Sequence, residues 1–325
     1  MPDFGFIIET IFTSGLPVCL IAIGIFLTFR LLDFADMTAE GSFLISAAIT
    51  VVGLNNGINP FLVVLLAMLG GACCGALTGV LNRYLKVPKL LSGIITMTAC
   101  GGIVYFIFGY DSIAGAFRGS AQLNNKADTI YKIFYNLNTG IPNPVIEILV
   151  MLFFVVLIMF AIYFFFGTEY GMAIRSTGMN EKMAKAQGIN TTICTIACIA
   201  LSNALIALGG CLIFQEGGQV RIGVESGRLV VGLAAVLIGE AIFGKRSFKN
   251  WLISVALGAI VYYAIITLVL NVGSDEYKNA MDSIKKLIYA LLITLALCLP
   301  MIKQSISNAI EKHKKKKNIE SEVKA

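Results

Sequence analysis

Long, continuous apolar runs separated by shorter polar stretches set the pattern along this 325-residue chain. The runs do not alternate apolar with polar residues, so helices are favoured over the strands of a barrel. A helix needs roughly 20 apolar residues to cross a hydrocarbon core of about 30 Å. The pattern predicts an all-α, polytopic membrane protein with about nine transmembrane helices (eight to ten) and leaves room for an inverted repeat. The predicted spans are 8–29, 42–53, 60–82, 90–108, 145–166, 191–214, 229–243, 251–270 and 287–301.

Two of these spans are too short to cross unaided. The apolar part of the second, 42–53, would make a helix of only about 18 Å, and the segment before it carries Asp33, Asp36 and Glu40. This favours a broken or re-entrant segment, in which freed backbone groups face protein or a water-filled cavity. The alternative is a loop that leads into a short tilted helix. The seventh span is also short, and Glu240 near its end either marks function or pairs with a neighbouring charge such as Lys245.

Composition agrees with the membrane assignment. The chain is 57% hydrophobic and 14% charged, with a mean hydropathy of +0.83, whereas soluble domains carry about 25% charged residues. All eight cysteines fall inside apolar runs and are interpreted as small buried hydrophobic residues. Cys194 and Cys198 share a helix face but have no histidine or carboxylate nearby, so no metal site or cofactor is predicted. The cysteines are Cys19, Cys73, Cys74, Cys100, Cys194, Cys198, Cys211 and Cys298.

The basic residues indicate the orientation, because lysine and arginine near the ends of spans stay in the cytoplasm. An outside N-terminus and an inside C-terminus place 17 of the 25 basic residues inside. The predicted division is a permease domain over 1–302 and a basic cytoplasmic tail over 303–325, whose lysines suit anionic lipids. Two exterior segments, 109–143 and 216–228, are predicted either to cap the outer face or dock a soluble partner, or to act as plain connectors.

The polar stretch 167–190 lies between two apolar runs and, in this orientation, faces the cytoplasm. Asn180 suits a helix N-cap, Glu181 the positive end of the helix dipole, and Gly188 a left-handed C-terminal cap. A helix over 180–187 is therefore predicted, with a small, mildly apolar middle at Met183, Ala184 and Ala186. Such a helix favours docking of another protein, and the alternative is a short solvated helix in a loop.

The chain lacks an evident means of hydrolysing ATP. Residues 239–246, GEAIFGKR, nearly match a phosphate-binding loop, but Arg246 replaces the hydroxyl residue and the segment ends an apolar helix instead of following a strand. No catalytic constellation and no nucleic-acid-binding pattern is visible. ATP-driven transport would require a separate ATPase subunit.

At this point the motifs resemble those of a known family. LTFRLLDFADMTAEGSF (27–43), LSGIITMTA (91–99), TEYGMAIRSTGMNEKMAKAQGI (168–189), LSNALIALGGCLIFQEGG (201–218) and GLAAVLIGEAIF (232–243) cover much of the chain. Together they resemble permease subunits of bacterial ABC importers in the branched-chain amino acid and ribose permease superfamily, and most of all the tryptophan/tyrosine-type subgroup. Glu40, Arg221 and Glu225 depart from the usual pattern, which affects solute identity more than fold.

The resemblance implies a set of partners: two ATP-binding subunits, a binding lipoprotein outside, and a second permease, most simply another copy. It also implies a role for two groups of residues. The ATPase-coupling group is Gly171, Arg175, Asn180, Ala184, Ala186 and Gly188, and the translocation-path group is Asp36, Thr38, Ser42, Asn203 and Gln215.

The sequence thus favours the permease subunit of an ABC importer for a small polar solute, an amino acid first of all, in the bacterial cytoplasmic membrane. The alternative is an ion-coupled secondary transporter with Asp33, Asp36 and Glu240 as ion carriers. A membrane-embedded enzyme is a third hypothesis, for which no catalytic set is visible.

Overall fold

A computed structural model describes residues 4–111, 116–117, 120–124, 127–137, 140, 142–221 and 227–271, together with 291 and 294. The described part is mostly helical, and four short strands are its only other regular elements. The helices are α1 (Phe4–Phe26), α2 (Thr38–Asn55), α3 (Pro60–Arg83), α4 (Lys89–Phe108), α5 (Ile130–Leu137), α6 (Asn143–Phe165), α7 (Glu169–Met179), α8 (Glu181–Ala186), α9 (Thr191–Gly217), α10 (Arg228–Phe243) and α11 (Phe248–Asn271).

In the described part of the chain, seven helices are long and apolar enough to cross a membrane: α1 with the π-helical turn Leu27–Leu31 that extends it, α2, α3, α4, α6, α9 and α11. Helix α10 has 16 residues, or about 24 Å, so the prediction of a short seventh span is confirmed. The predicted ninth span and the basic tail lie outside the described residues, apart from 291 and 294. The total of nine spans and the inverted repeat stay predictions.

The second span is longer than predicted. Helix α2 runs without interruption from Thr38 to Asn55 over 18 residues and begins directly after a non-helical segment, 32–37. The polar residues Thr38 and Ser42 belong to the helix because their hydroxyls find hydrogen-bond partners inside the bundle. The predicted break is therefore present, but it precedes the helix and does not shorten it.

Helices α1, α2 and α9 are the buried centre of the bundle, whereas α3, α4 and α6 present large apolar side chains outward. Gly71, Gly75 and Gly79 on α3 all face α9, where an added Cβ at each would lie within 3 Å of an α9 atom. A face without side chains therefore lets α3 pack closely against α9. Cys73, on the outer side of α3, is exposed, so the expectation that every cysteine is buried is wrong at this position.

The predicted exterior segments contain short antiparallel strands, which the all-α prediction omits. Strands β1 (Tyr110–Asp111) and β2 (Ala116–Phe117) pair with each other. Strand β3 (Ser120–Gln122) pairs with β4 (Gln219–Arg221), which directly follows α9, and so links the two segments. We call this the strand end of the bundle. The other end carries Arg30, Arg83, Lys89, α7 and α8, and we call it the basic end.

Candidate functional site

The polar stretch at the basic end folds into two short helices, α7 and α8. Asn180 lies between them, and its side-chain oxygen accepts a hydrogen bond from the amide of Met183 at 3.1 Å. Gly188 has φ of +82°, a left-handed conformation that suits glycine. The predicted N-cap, helix and C-terminal glycine are therefore confirmed, with the helix itself spanning Glu181–Ala186.

An ion-pair network fixes α8 to the bundle. Arg83, at the end of α3, donates through Nη1 to Glu181 Oε1 at 2.7 Å and through Nη2 to Thr195 Oγ1 of α9 at 2.5 Å. Lys185 lies 2.9 Å from the same Glu181 oxygen. The hydrogen bonds from Lys185 and Arg83 lower the pKa of Glu181 to about 2, so its carboxylate stays ionised at neutral pH.

Helix α7 is held by a backbone contact and by a ring. A Cβ placed on Gly178 would lie 1.7 Å from the carbonyl oxygen of Leu31, at the end of the π-helical turn, so only glycine fits there. The guanidinium of Arg175 lies 5.0 Å from the centre of the Phe248 ring, at the start of α11. Gly178 and Arg175 thus attach α7 to two different spans.

The outward surface of this pair of helices differs from the prediction. Ala184 of the predicted coupling group is only 1% exposed and packs inward, so its methyl group is not part of the outward surface. Its role in coupling stays a prediction. Gly171 is buried as well, whereas Asn180, Ala186 and Gly188 are exposed. The large apolar side chains exposed on the two helices are those of Tyr170 and Met172, at 77% and 52%, and, on either side of Asn180, those of Met179 and Met183, at 87% and 62%. An apolar pair outside the membrane spans is typical of a protein-docking surface, and we call α7 and α8 with these two methionines the docking surface.

Next to the docking surface, Glu240 of α10 pairs with Arg30 of the π-helical turn at 2.6 Å and accepts a hydrogen bond from the Trp251 indole at 2.8 Å. The Trp251 ring lies edge-on to Phe26 with centroids 4.8 Å apart. Of the two interpretations of Glu240 the structure favours pairing, with Arg30 and not Lys245 as the partner. Glu240 thereby ties α1, α10 and α11 together at the basic end.

Four of the five predicted path residues form a closed polar cluster between α2 and α9. Asp36 accepts hydrogen bonds from the backbone amide of Thr38 at 2.9 Å and from Asn203 Nδ2 at 2.6 Å, and Ser42 donates to Asn203 Oδ1 at 2.7 Å. The Thr38 hydroxyl meets that of Thr78 on α3 at 2.6 Å. All of these side chains are buried, so they join helices and do not line an open surface of the chain.

The fifth, Gln215, lies apart from this cluster near the strand end. Its Oε1 accepts a hydrogen bond from the backbone amide of Ile130 in α5 at 3.0 Å. It is buried, 3% exposed. The structure therefore does not bring Gln215 together with Asp36 and Asn203.

A half-buried stripe runs along the first half of α2, formed by Met37, Glu40 and Leu44. On one side of it Gly41 packs against Met97 and Cys100 of α4, and on the other the backbone amide of Gly227, at the start of α10, donates to Glu40 Oε1 at 3.0 Å. This half-buried face of α2 thus lies between the contacts of the helix with α4 and with α10, and we call it the α2 groove. It carries one carboxylate between two apolar side chains.

Comparison with known proteins gives the family. A family model for the permease component of branched-chain amino acid transport systems matches residues 7–297. The chain belongs to this permease family. It is 31% identical over 266 residues to a tyrosine transport system permease protein of Clostridioides difficile, which covers 82% of this chain and 84% of the relative. A ribose import permease protein of Haemophilus influenzae is 27% identical over 245 residues, covering 74% and 70%.

A solved structure of an ABC transporter in an inward-facing conformation has the same fold, with a TM-score of 0.52 at 17% identity and coverage of 90% of this chain and 84% of that one. The resemblance seen in the sequence is confirmed. The chain is the multi-pass permease subunit of an ABC transporter in the cytoplasmic membrane, and ATP hydrolysis belongs to a partner subunit. The family also implies a substrate-binding protein as a second partner. Because the chain belongs to the ABC permease family, the two alternative hypotheses, an ion-coupled transporter and a membrane-embedded enzyme, are set aside.

The permease has functional candidates that the sequence pattern does not reveal. Arg83 stands out in the sequence only as one of several basic residues after a span, and Glu40 only as a departure from the family pattern. Nothing in the sequence distinguishes Met179, and only its exposure in the structure makes it a candidate for docking. For Glu40 a signal does exist, since a carboxylate three residues into a membrane helix is uncommon.

Proposed function

We propose that this permease imports an amino acid, with an aromatic amino acid such as tyrosine as the first candidate. The 31% identity over 82% of the chain to a tyrosine permease carries this choice. Sugar permeases are also among its relatives, at lower identity.

The docking surface is the contact that receives the ATP-binding subunit in this proposal. Met179 and Met183 supply outward apolar side chains, and the exposed Ala186 and Gly188 let a partner approach the backbone closely. Arg175 and the Arg83–Glu181 pair anchor the two helices to α11 and α3, so that a push on α8 moves the spans instead of bending a loop.

The orientation proposed from the basic residues puts the docking surface in the cytoplasm and the strand end outside. The N-terminus then lies outside and the C-terminus inside. The binding lipoprotein would meet the strand end, and the basic tail would lie at the anionic lipid surface.

A second copy of the permease covers the α2 groove in this proposal, making the transporter a homodimer with the path between the two grooves. A carboxylate facing hydrocarbon is costly, which supports protein or water opposite Glu40. The polar cluster then stabilises the path indirectly, because it fixes α2 to α9; its members are Asp36, Thr38, Ser42 and Asn203. Gln215 holds α5 at the strand end.

Reconstitution tests the proposed function. The permease is incorporated into proteoliposomes with the ATP-binding subunit and the binding lipoprotein from the same cell, and uptake of labelled L-tyrosine is followed with and without ATP. We expect uptake that requires ATP and both partners. Labelled ribose in parallel is the matched control, and uptake of ribose but not of tyrosine would refute the amino acid proposal.

A further inference from the structure

Glu40 lies inside the membrane-spanning part of the bundle. The neighbouring Gly41 packs against Met97 of α4, and Met97 is eight residues from Lys89 at the basic end of that helix. Eight residues of helix correspond to about 12 Å. Glu40 is therefore level with the middle of α4, a helix long enough to cross a membrane, and not with its basic end.

One carboxylate oxygen is held and the other is not. Oε1 accepts the hydrogen bond from Gly227, and within the described part of the chain Oε2 has no hydrogen-bond donor and Glu40 forms no ion pair. The guanidinium of Arg228, the residue after Gly227, lies 5.2 Å from the centre of the Phe43 ring and donates to the Tyr263 hydroxyl. Glu40 thus has no ion-pair partner among the described residues.

The surroundings of Glu40 differ from the faces that suit lipid. The exposed side chains on α6, for example Phe153, Leu157 and Phe160, are uniformly apolar. The α2 groove is half-buried and combines Met37 and Leu44 with a charge. Ionisable groups in membrane spans almost always face a water-filled cavity or a charged partner. An unpaired carboxylate in such a groove attracts a cation that enters it.

We propose that Glu40 binds the ammonium group of the transported solute in the α2 groove, and that it selects for amine-bearing solutes over uncharged ones. This inference rests on the proposed importer function and makes it narrower. The carboxylate complements an ammonium group, and Met37 and Leu44 on either side suit an apolar side chain of the same solute. A sugar offers Glu40 no charge to bind.

Two substitutions separate this role from a purely structural one. Glu40→Gln keeps an oxygen that accepts from Gly227 and loses the charge, whereas Glu40→Ala loses both. In the reconstituted complex we expect Glu40→Gln to lower ATP-driven L-tyrosine uptake about tenfold, with ATP hydrolysis near the wild-type level. If Glu40→Gln takes up tyrosine at the wild-type rate and Glu40→Ala loses this uptake, Glu40 acts only as a cap for the start of α10, and the proposal is overturned. Glu9→Gln, on α1, is the matched charge control and should transport normally.

A second measurement does not depend on the identity of the solute. Leu44→Cys, one helical turn from Glu40, is labelled in the assembled complex with a cationic trimethylammonioethyl and an anionic sulfonatoethyl methanethiosulfonate, with the unsubstituted chain as background. We expect the cationic reagent to react faster, and the ratio of the two rates to fall about fivefold or more when Glu40→Gln is added. An unchanged ratio would overturn the cation site. If the ratio falls as expected but the unsubstituted complex does not take up tyrosine, tyrosine is refuted as the solute and the cation site is retained.

Discussion

At the scale of single residues, the contact between Gly178 and the Leu31 carbonyl oxygen shows how closely α7 approaches the π-helical turn of α1. The end of α1 and the docking surface share this backbone contact, so movement of one must displace the other. Local rules predict Asn180 and Gly188 correctly, because a cap depends on the residues beside it. The inward position of Ala184 depends on where the rest of the bundle lies, and no local rule contains that information.

Gly178→Ala is expected to destabilise the permease because its Cβ would meet a backbone oxygen that cannot move without shifting a helix. Overpacking of this kind costs about 3 kcal/mol, at the upper end of the usual range, and should lower the melting temperature of the purified permease by about 5 °C or more. Gly101→Ala, on α4, is the matched control: no atom lies within 4 Å of its Cβ position among the described residues. It should be neutral or slightly stabilising. Equal melting temperatures for the two variants would contradict the contact.

At the scale of elements, α2 shows both what a hydrophobic pattern predicts and where it stops. The pattern locates the break before the helix, since Asp33 and Asp36 interrupt the apolar run. It begins the span too late, at Ser42 instead of Thr38, because Thr38 counts as polar although the Thr78 hydroxyl of α3 gives its side chain a hydrogen-bond partner. The pattern also cannot predict the α2 groove, because the half-buried side of α2 depends on how α4 and α10 pack against it, and these helices are distant in sequence.

For α8, exposure predicts different effects for neighbouring residues. Met183→Arg should leave the fold of the permease intact, because the side chain points outward, but lower the affinity for the ATP-binding subunit about tenfold or more. Ala184→Arg should instead lower the yield and melting temperature of the permease itself, because a charge would be forced into a buried position.

Met183→Leu is the control for this pair, since it retains an apolar side chain of similar volume and should bind like the wild type. Affinity is measured by titrating the ATP-binding subunit onto detergent-purified permease. Normal binding by Met183→Arg would exclude this residue from the docking surface.

At the scale of the whole molecule, the apolar runs predict seven spans and a short eighth helix with boundaries close to those observed, because burial in lipid demands continuous apolar helices. The division into a basic end and a strand end follows from the alternating direction of successive helices along the chain. Arg30, Arg83 and Lys185 meet at one end although they are far apart in sequence, and each then finds an acidic partner there. The sequence predicts the gathering of positive charge, and only the packing shows which carboxylates pair with it.

This asymmetry of charge predicts which end faces the cytoplasm, and labelling of intact cells tests it. Asn56→Cys lies in the turn between α2 and α3 at the strand end, and Tyr84→Cys lies at the basic end, where Tyr84 is 66% exposed. If basic residues are retained inside, the anionic sulfonatoethyl methanethiosulfonate, which does not cross membranes, should label Asn56→Cys in intact cells. Tyr84→Cys should react only after the membrane is permeabilised. The unsubstituted chain gives the background from its own cysteines, and the reverse pattern would place the docking surface outside the cell, where no ATP-binding subunit could reach it.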